Sequence, residues 1–134
     1  MAPGETLAPH GVAPDSPFTP RQLARLDEAL TMSTRETGIA FTVYVGELGP
    51  TPRAFAESLH AELGTAAADS VLVAVSPGEK RMEIVTGAHG AKRLPDRSCA
   101  LAALSMTASF GGGDLVGGIV NGLRMLSDQA GRPG

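Results

Sequence analysis

Leu23, Leu26 and Leu30 recur at helical spacing, and Thr19-Pro20-Arg21-Gln22 ahead of them offers an N-cap, a proline at the first helical position and a capping-box glutamine. A helix over about 20–37 is predicted, closed by Gly38 in the left-handed conformation. The period then changes to two: Ile39, Phe41, Val43 and Val45 alternate with Ala40, Thr42 and Tyr44, which reads as a first strand. Thr51-Pro52 repeats the cap-plus-proline signal, and Phe55, Leu59 and Leu63 place a second amphipathic helix before Gly64. Val71-Leu72-Val73-Ala74-Val75 is continuously apolar, the pattern of a central strand covered on both faces. Turn chemistry at Ser76-Pro77-Gly78-Glu79 and alternation through Met82, Ile84 and Thr86 add a strand antiparallel to it. Strand one, helix and strand two form a βαβ unit, for which a parallel, right-handed crossover is expected.

Two closing helices follow, over 96–110 with Asp96 as a capping candidate and over 114–129 with Leu115, Ile119, Leu123 and Leu126. Gly118 and Gly122 on the last one forfeit ~1 kcal/mol each relative to alanine, so a close helix crossing is predicted there. The elements describe an α/β fold, a three-layer α/β/α sandwich around a mixed sheet of a βαβ unit plus an antiparallel hairpin.

Composition adjusts this picture at the ends. Residues 1–17 carry prolines at 3, 9, 14 and 17 and few large apolar groups, so a disordered arm is expected ahead of a domain over 18–130, with a disordered tail over 131–134. At 134 residues, one core is expected. Lys+Arg 11 against Asp+Glu 14 lacks the basic footprint that nucleic-acid binding needs. The first twenty residues have no signal-peptide pattern and no apolar run reaches membrane-spanning length, so a cytoplasmic protein without a transmembrane segment is expected. The single cysteine, Cys99, lies in an apolar helical stretch and reads as a packed thiol.

The segment with the narrowest structural requirement is Ser109-Phe110-Gly111-Gly112-Gly113-Asp114. Its glycines permit positive φ, and Asp114 can either accept from the free amides at the helix start or face a cation. Asp69 and Asp96 also begin elements, so three segments could present carboxylate oxygens to a hard cation; the plainer reading makes them caps and turn residues. His10, His60 and His89 lack metal-ligand spacing. His60 is expected on a helix surface, and His89 is a loop histidine that could act as acid or base in a cleft. Lys80, Arg81, Lys92, Arg93 and Arg97 read as one basic group around the hairpin, able to meet a phosphate or an anionic surface.

Over about 18–129 the chain resembles the TPM domain family, whose members share an α/β/α sandwich and include a thylakoid protein with acid phosphatase activity. The resemblance is carried by Leu23-Ala24-Arg25-Leu26-Asp27, Glu36-Thr37-Gly38, Asp69 before Val71-Leu72-Val73-Ala74-Val75, Glu83-Ile84-Val85-Thr86-Gly87, Leu94-Pro95-Asp96 and Phe110 through Asp114. It looks closest to a subgroup of short actinobacterial proteins described as a domain of unknown function. The resemblance implies cation binding, calcium in some members, and a phosphatase activity. Asp69 matches the aspartate of the family's Asp-Asn-Gly, Asp96 that of its Leu-Pro-Asp and Asp114 that of its Gly-Asp. Ser70 stands in place of the asparagine, no glycine follows it, and Ala91 stands near where relatives often carry a glutamate. Fewer acidic ligands weaken a calcium site. The leading expectation is therefore a TPM-like, non-catalytic binding or regulatory module, monomeric, with a protein partner. The alternatives are a divalent-metal-dependent, phosphatase-like hydrolase with the ion on Asp69, Asp96 and Asp114, and a calcium sensor whose glycine turn orders on binding.

Overall fold

The computed structural model describes residues 18–131; the expectations for the arm over 1–17 and, apart from Gly131, for the tail over 131–134 lie outside the described residues. Helix α1 (Pro20–Thr37) starts on the predicted capping box, with Thr19 Oγ1 accepting from Gln22 N at 3.1 Å and Thr19 N donating to Gln22 Oε1 at 2.9 Å. It ends on Gly38 at φ 76°, whose N–H closes on Thr34 O. Strand β1 (Ala40–Val45) then runs parallel to β2 (Ser70–Ser76), with Val43 opposite Val73. Strand β3 (Arg81–Thr86) returns antiparallel, with Ile84 opposite Val73. The order is β1-β2-β3, so the all-apolar segment is the central strand, and every one of its residues is buried.

Period two splits the sheet's side chains between two cores. Phe41, Val43, Val45, Val71, Val73, Val75 and Ile84 pack with Leu26 and Leu30 of α1, Met106 of α4 (Asp96–Gly111) and Ile119, Leu123 and Leu126 of α5 (Leu115–Ala130). On the opposite face Leu72, Ala74 and Val85 meet Leu48 and, from α2 (Pro52–Ala61), Ala56 and Leu59. The result is the expected three-layer α/β/α arrangement. Where α4 crosses α5 the glycines are required: a Cβ at Gly122 would run into Met106, and one at Gly118 would lie 2.8 Å from Ser109 Cβ and 3.0 Å from Phe110 Cε1.

Three local readings are corrected. Thr51 makes no side-chain cap, because its φ of −125° and ψ of 73° leave the extended cap geometry. Asp96 is the first residue inside α4 and Pro95 occupies the cap position, so Asp96 acts on the helix start by charge alone. Phe55 lies largely outside the core, edge-on to Tyr44 at 5.8 Å, since α2 turns Ala56, Leu59 and His60 to the sheet. Two short elements were not foreseen: a 3-10 helix over Gly64–Asp69 and α3 (Ala88–Arg93). No helix among the described residues is long and apolar enough to cross a membrane.

Candidate functional site

Asp69 ends the 3-10 helix at the start of β2, and α3 leaves the end of β3 beside it. His89 of α3 thereby meets Asp69, Nδ1 to Oδ1 at 2.8 Å, with both side chains about two-thirds exposed. The carboxylate orients the imidazole and leaves its other nitrogen for a partner. A cavity of about 390 Å³ adjoins the pair, bounded by Gly38, Ile39, Gly90, Lys92 and Arg93. Arg93 is committed elsewhere: it donates to Thr37 O at 2.7 Å, to Ala130 O and to Gly131 O, tying together the C-terminal ends of α1 and α5. The Asp69–His89 contact spans twenty residues and joins two elements that the sequence pattern did not reveal.

Asp96 lies elsewhere, in a cleft of about 380 Å³ along the outer side of β3. Gly87 N donates to Ser70 O at 3.0 Å directly across the β2/β3 ladder, which fixes its phase: Arg81, Glu83 and Val85 bond to β2, while the N–H and C=O of Met82, Ile84 and Thr86 point outward. Met82, Ile84 and Thr86 line the cleft, facing Asp96, Cys99, Ala100 and Ala103 of α4. Arg53 of α2 closes one side, donating to Ile84 O at 2.7 Å and pairing with Glu83 at 3.4 Å and Glu57 at 3.1 Å. The Asp96 carboxylate has no hydrogen bond or ion pair among the described residues. Burial, and then the Asp96 charge, push the half-buried Cys99 thiol above its usual range, with Arg53 pulling the other way; the thiol is held neutral.

Asp114 caps α5, its Oδ1 accepting from Gly117 N at 2.9 Å. Gly117 has to be glycine for this, because a Cβ there would occupy the carboxylate's place. The turn behind it uses Gly113 at φ 88° and Asp114 N to Ser109 O at 3.0 Å. Residues 111 and 113 face the β2–β3 turn across a cavity that also contains Pro77 and Lys80, whereas Asp69 precedes β2. Asp69 and Asp114 therefore flank opposite ends of β2, roughly 20 Å of extended chain apart. The structure does not bring Asp69, Asp96 and Asp114 together, and among the described residues no three His, Cys, Asp or Glu side chains gather around one point suited to a metal.

The basic group is likewise divided. Lys80 and Arg81 stand at the hairpin end of β3, and Lys92 and Arg93 beyond its other end. His60 corrects its surface assignment: it is buried, with Nε2 3.0 Å from Ser70 O, because α2 presents it to the start of β2. Glu79, in the β2–β3 turn, accepts at Oε1 from Leu48 N, Gly49 N and Ser76 Oγ, and these bonds hold its carboxyl below the usual range. It fastens the β1–α2 loop to the hairpin turn.

Residues 5–127 match a domain of unknown function, DUF5130. The uncharacterized protein Rv2468c of Mycobacterium tuberculosis, and its counterpart in a second strain, are 33% identical over 111 residues, covering 83% of this chain; the chain spans 66% of the length of these relatives. Among solved structures, the N-terminal domain of a P. gingivalis protein superposes with a TM-score of 0.75 at 17% identity, over 88% of this chain and 79% of that one. Protein BA42 of the psychrophilic bacterium Bizionia argentinensis gives 0.76 at 15%, over 87% and 83%. The N-terminal domain of the cg2496 protein of Corynebacterium glutamicum gives 0.70 at 11%, over 89% and 78%. Likeness at these identities is a likeness of fold.

Proposed function

The chain belongs to the DUF5130 family, and from that premise we propose that it is a TPM-like, non-catalytic binding module that receives an extended segment of a partner protein along the outer edge of β3. One observation carries the reading: the N–H and C=O groups of Met82, Ile84 and Thr86 point outward on the cleft side of β3, and among the described residues no fourth strand pairs with them, Arg53 alone reaching Ile84 O. An added strand would form main-chain bonds to these three residues and take over Ile84 O from Arg53. Its alternate side chains would lie against Met82, Ala100 and Ala103, continuous with Leu101 and Leu104 on the exposed side of α4. The uncommitted Asp96 carboxylate suits a lysine or arginine in that segment.

The test exploits the phase of the ladder. Because Met82 N–H points away from β2, Met82→Pro removes an outward donor without breaking a β2–β3 bond. Random dodecapeptides displayed on phage are selected against the full chain, then measured on the wild type and on Met82→Pro and Asp96→Asn. The expected result is enrichment of proline-free, alternating sequences with a basic residue, weakened at least about tenfold by Met82→Pro, with Asp96→Asn affecting the basic residue's contribution. No enrichment, or equal binding to a folded Met82→Pro variant, refutes the reading.

A further inference from the structure

A second cavity, at the hairpin end of β3, shares no lining residue with the strand-docking cleft and has different chemistry. It lies between the β2–β3 turn and the glycine turn that precedes α5, with a volume of about 390 Å³, within the range of small-ligand sites. Pro77, Phe110 and Leu115 give it apolar walls, residues 111 and 113 bring bare backbone to its rim, and Lys80 and Arg81 supply the charge.

Both neighbouring carboxylates are already occupied. Asp114 is folded onto Gly117 N, and Glu79 is held by Leu48 N, Gly49 N and Ser76 Oγ. Arg81 gives one N–H to Gly49 O at 3.0 Å and lies close enough to Glu79 to lower its pKa. Lys80 has no hydrogen-bonded or ionic partner for its ammonium among the described residues. Its backbone is also costly: φ is 56°, with its N–H closing on Pro77 O at 3.2 Å, where glycine or asparagine is the comfortable residue. Lys80 therefore lines an apolar pocket with a strained backbone and an uncommitted charge.

We infer that this pocket binds a small amphipathic anion, a carboxylate on a short aliphatic body, with the carboxylate on Lys80 and the body against Phe110, Leu115 and Pro77. Charge alone or apolar character alone would each leave half of the lining without a counterpart.

Octanoate is the probe, with octan-1-ol, octylammonium and inorganic phosphate as counterparts, titrated into the isotopically labelled full chain while backbone amide shifts are followed. Octanoate is expected to move the amides of Lys80, Arg81 and residues 110–115 saturably, with octanol and octylammonium at least about tenfold weaker and phosphate without effect at these residues. Lys80→Asn keeps a residue that accepts positive φ while removing the charge, so it should leave the spectrum folded and weaken octanoate about tenfold. Octanol or phosphate matching octanoate, shifts centred elsewhere, no saturable shift at all, or octanoate binding unchanged in folded Lys80→Asn would each overturn the inference.

Discussion

Replacing Gly87 by alanine tests the joint that places Asp69 against His89. Gly87 has φ −76° and ψ 173°, a conformation open to every residue, so glycine is not required there for backbone freedom. What requires it is space. A Cβ at this position would be driven into Ala67 O and would stand 2.6 Å from Ala68 O and 2.7 Å from the Ala68 carbonyl carbon. These are backbone atoms of the 3-10 helix, with no side-chain rotation available to relieve them. Relief requires the 3-10 helix to retreat from the end of β3, which strains Ser70 Oγ to Ala66 O at 2.6 Å, Gly87 N to Ser70 O at 3.0 Å and the Asp69–His89 contact together. Overpacking costs typically ~1–3 kcal/mol, and at this depth of overlap the upper part of that range applies. A narrower unfolded ensemble returns ~0.4–1 kcal/mol, leaving a net loss of about 2 kcal/mol. In urea unfolding followed by far-ultraviolet circular dichroism, that corresponds to a midpoint lowered by about 1 M. Gly78→Ala is the control: its Cβ meets nothing within 4 Å, so it should be neutral or stabilising by up to ~1 kcal/mol. If the two variants unfolded within ~0.5 kcal/mol of each other, the steric account of Gly87 would be wrong.

Three further outcomes are expected. Asp114→Ala should lose about 1 kcal/mol of unfolding free energy, while Asp114→Asn stays within a few tenths, since asparagine caps as well as aspartate; equal loss in both, with wild-type stability rising on added calcium, would favour the cation reading. Glu79 has its folded pKa lowered from 4.5, so its contribution is present above that value and is lost as pH falls through the lower folded one; the stability advantage of wild type over Glu79→Gln should shrink between neutral pH and pH ~3, and a constant difference would contradict it. Lys80→Gly relieves ~1–2 kcal/mol of left-handed strain against ~0.5–1 kcal/mol of added chain entropy, so the variant should unfold up to about 1 kcal/mol later, and a less stable variant would refute the strain.

The sequence was most legible where one local rule acted alone. Thr19-Pro20-Arg21-Gln22 is a self-contained cap, 71–75 can only be covered on both faces, and Gly118 and Gly122 announce a crossing because their helix-propensity cost needs a reason. It was least legible where tertiary placement decides. Ala88-His89-Gly90-Ala91-Lys92-Arg93 is too short for a period to register and includes a glycine, yet it forms α3 because Gly87 lets it approach the 3-10 helix. His60 and Phe55 exchanged their expected environments because α2 is rotated so that its 56/59/60 stripe faces the sheet. The acidic positions were correctly found at element ends, but an element end says nothing about which end of the sheet it lies at. Asp69 and Asp114 are separated by the full length of β2.

Helix α4 shows how the same ambiguity bears on function. Its apolar residues are spread round the helix instead of gathering on one face, so the sequence does not say which side is buried. The fold buries only the stripe of Ser98, Ala102 and Met106, leaving Leu101 at 52% and Leu104 at 69% exposure. Ala100 and Ala103 meanwhile line the cleft whose other wall is the open edge of β3. Small residues toward the strand and large apolar ones beyond it make a graded surface: room for a backbone to approach β3, then apolar area for the side chains of whatever approaches. A helix that only covered the sheet would need neither the small residues beside an edge unpaired among the described residues nor leucines outside the core, and the proposed docked strand gives a reason for both.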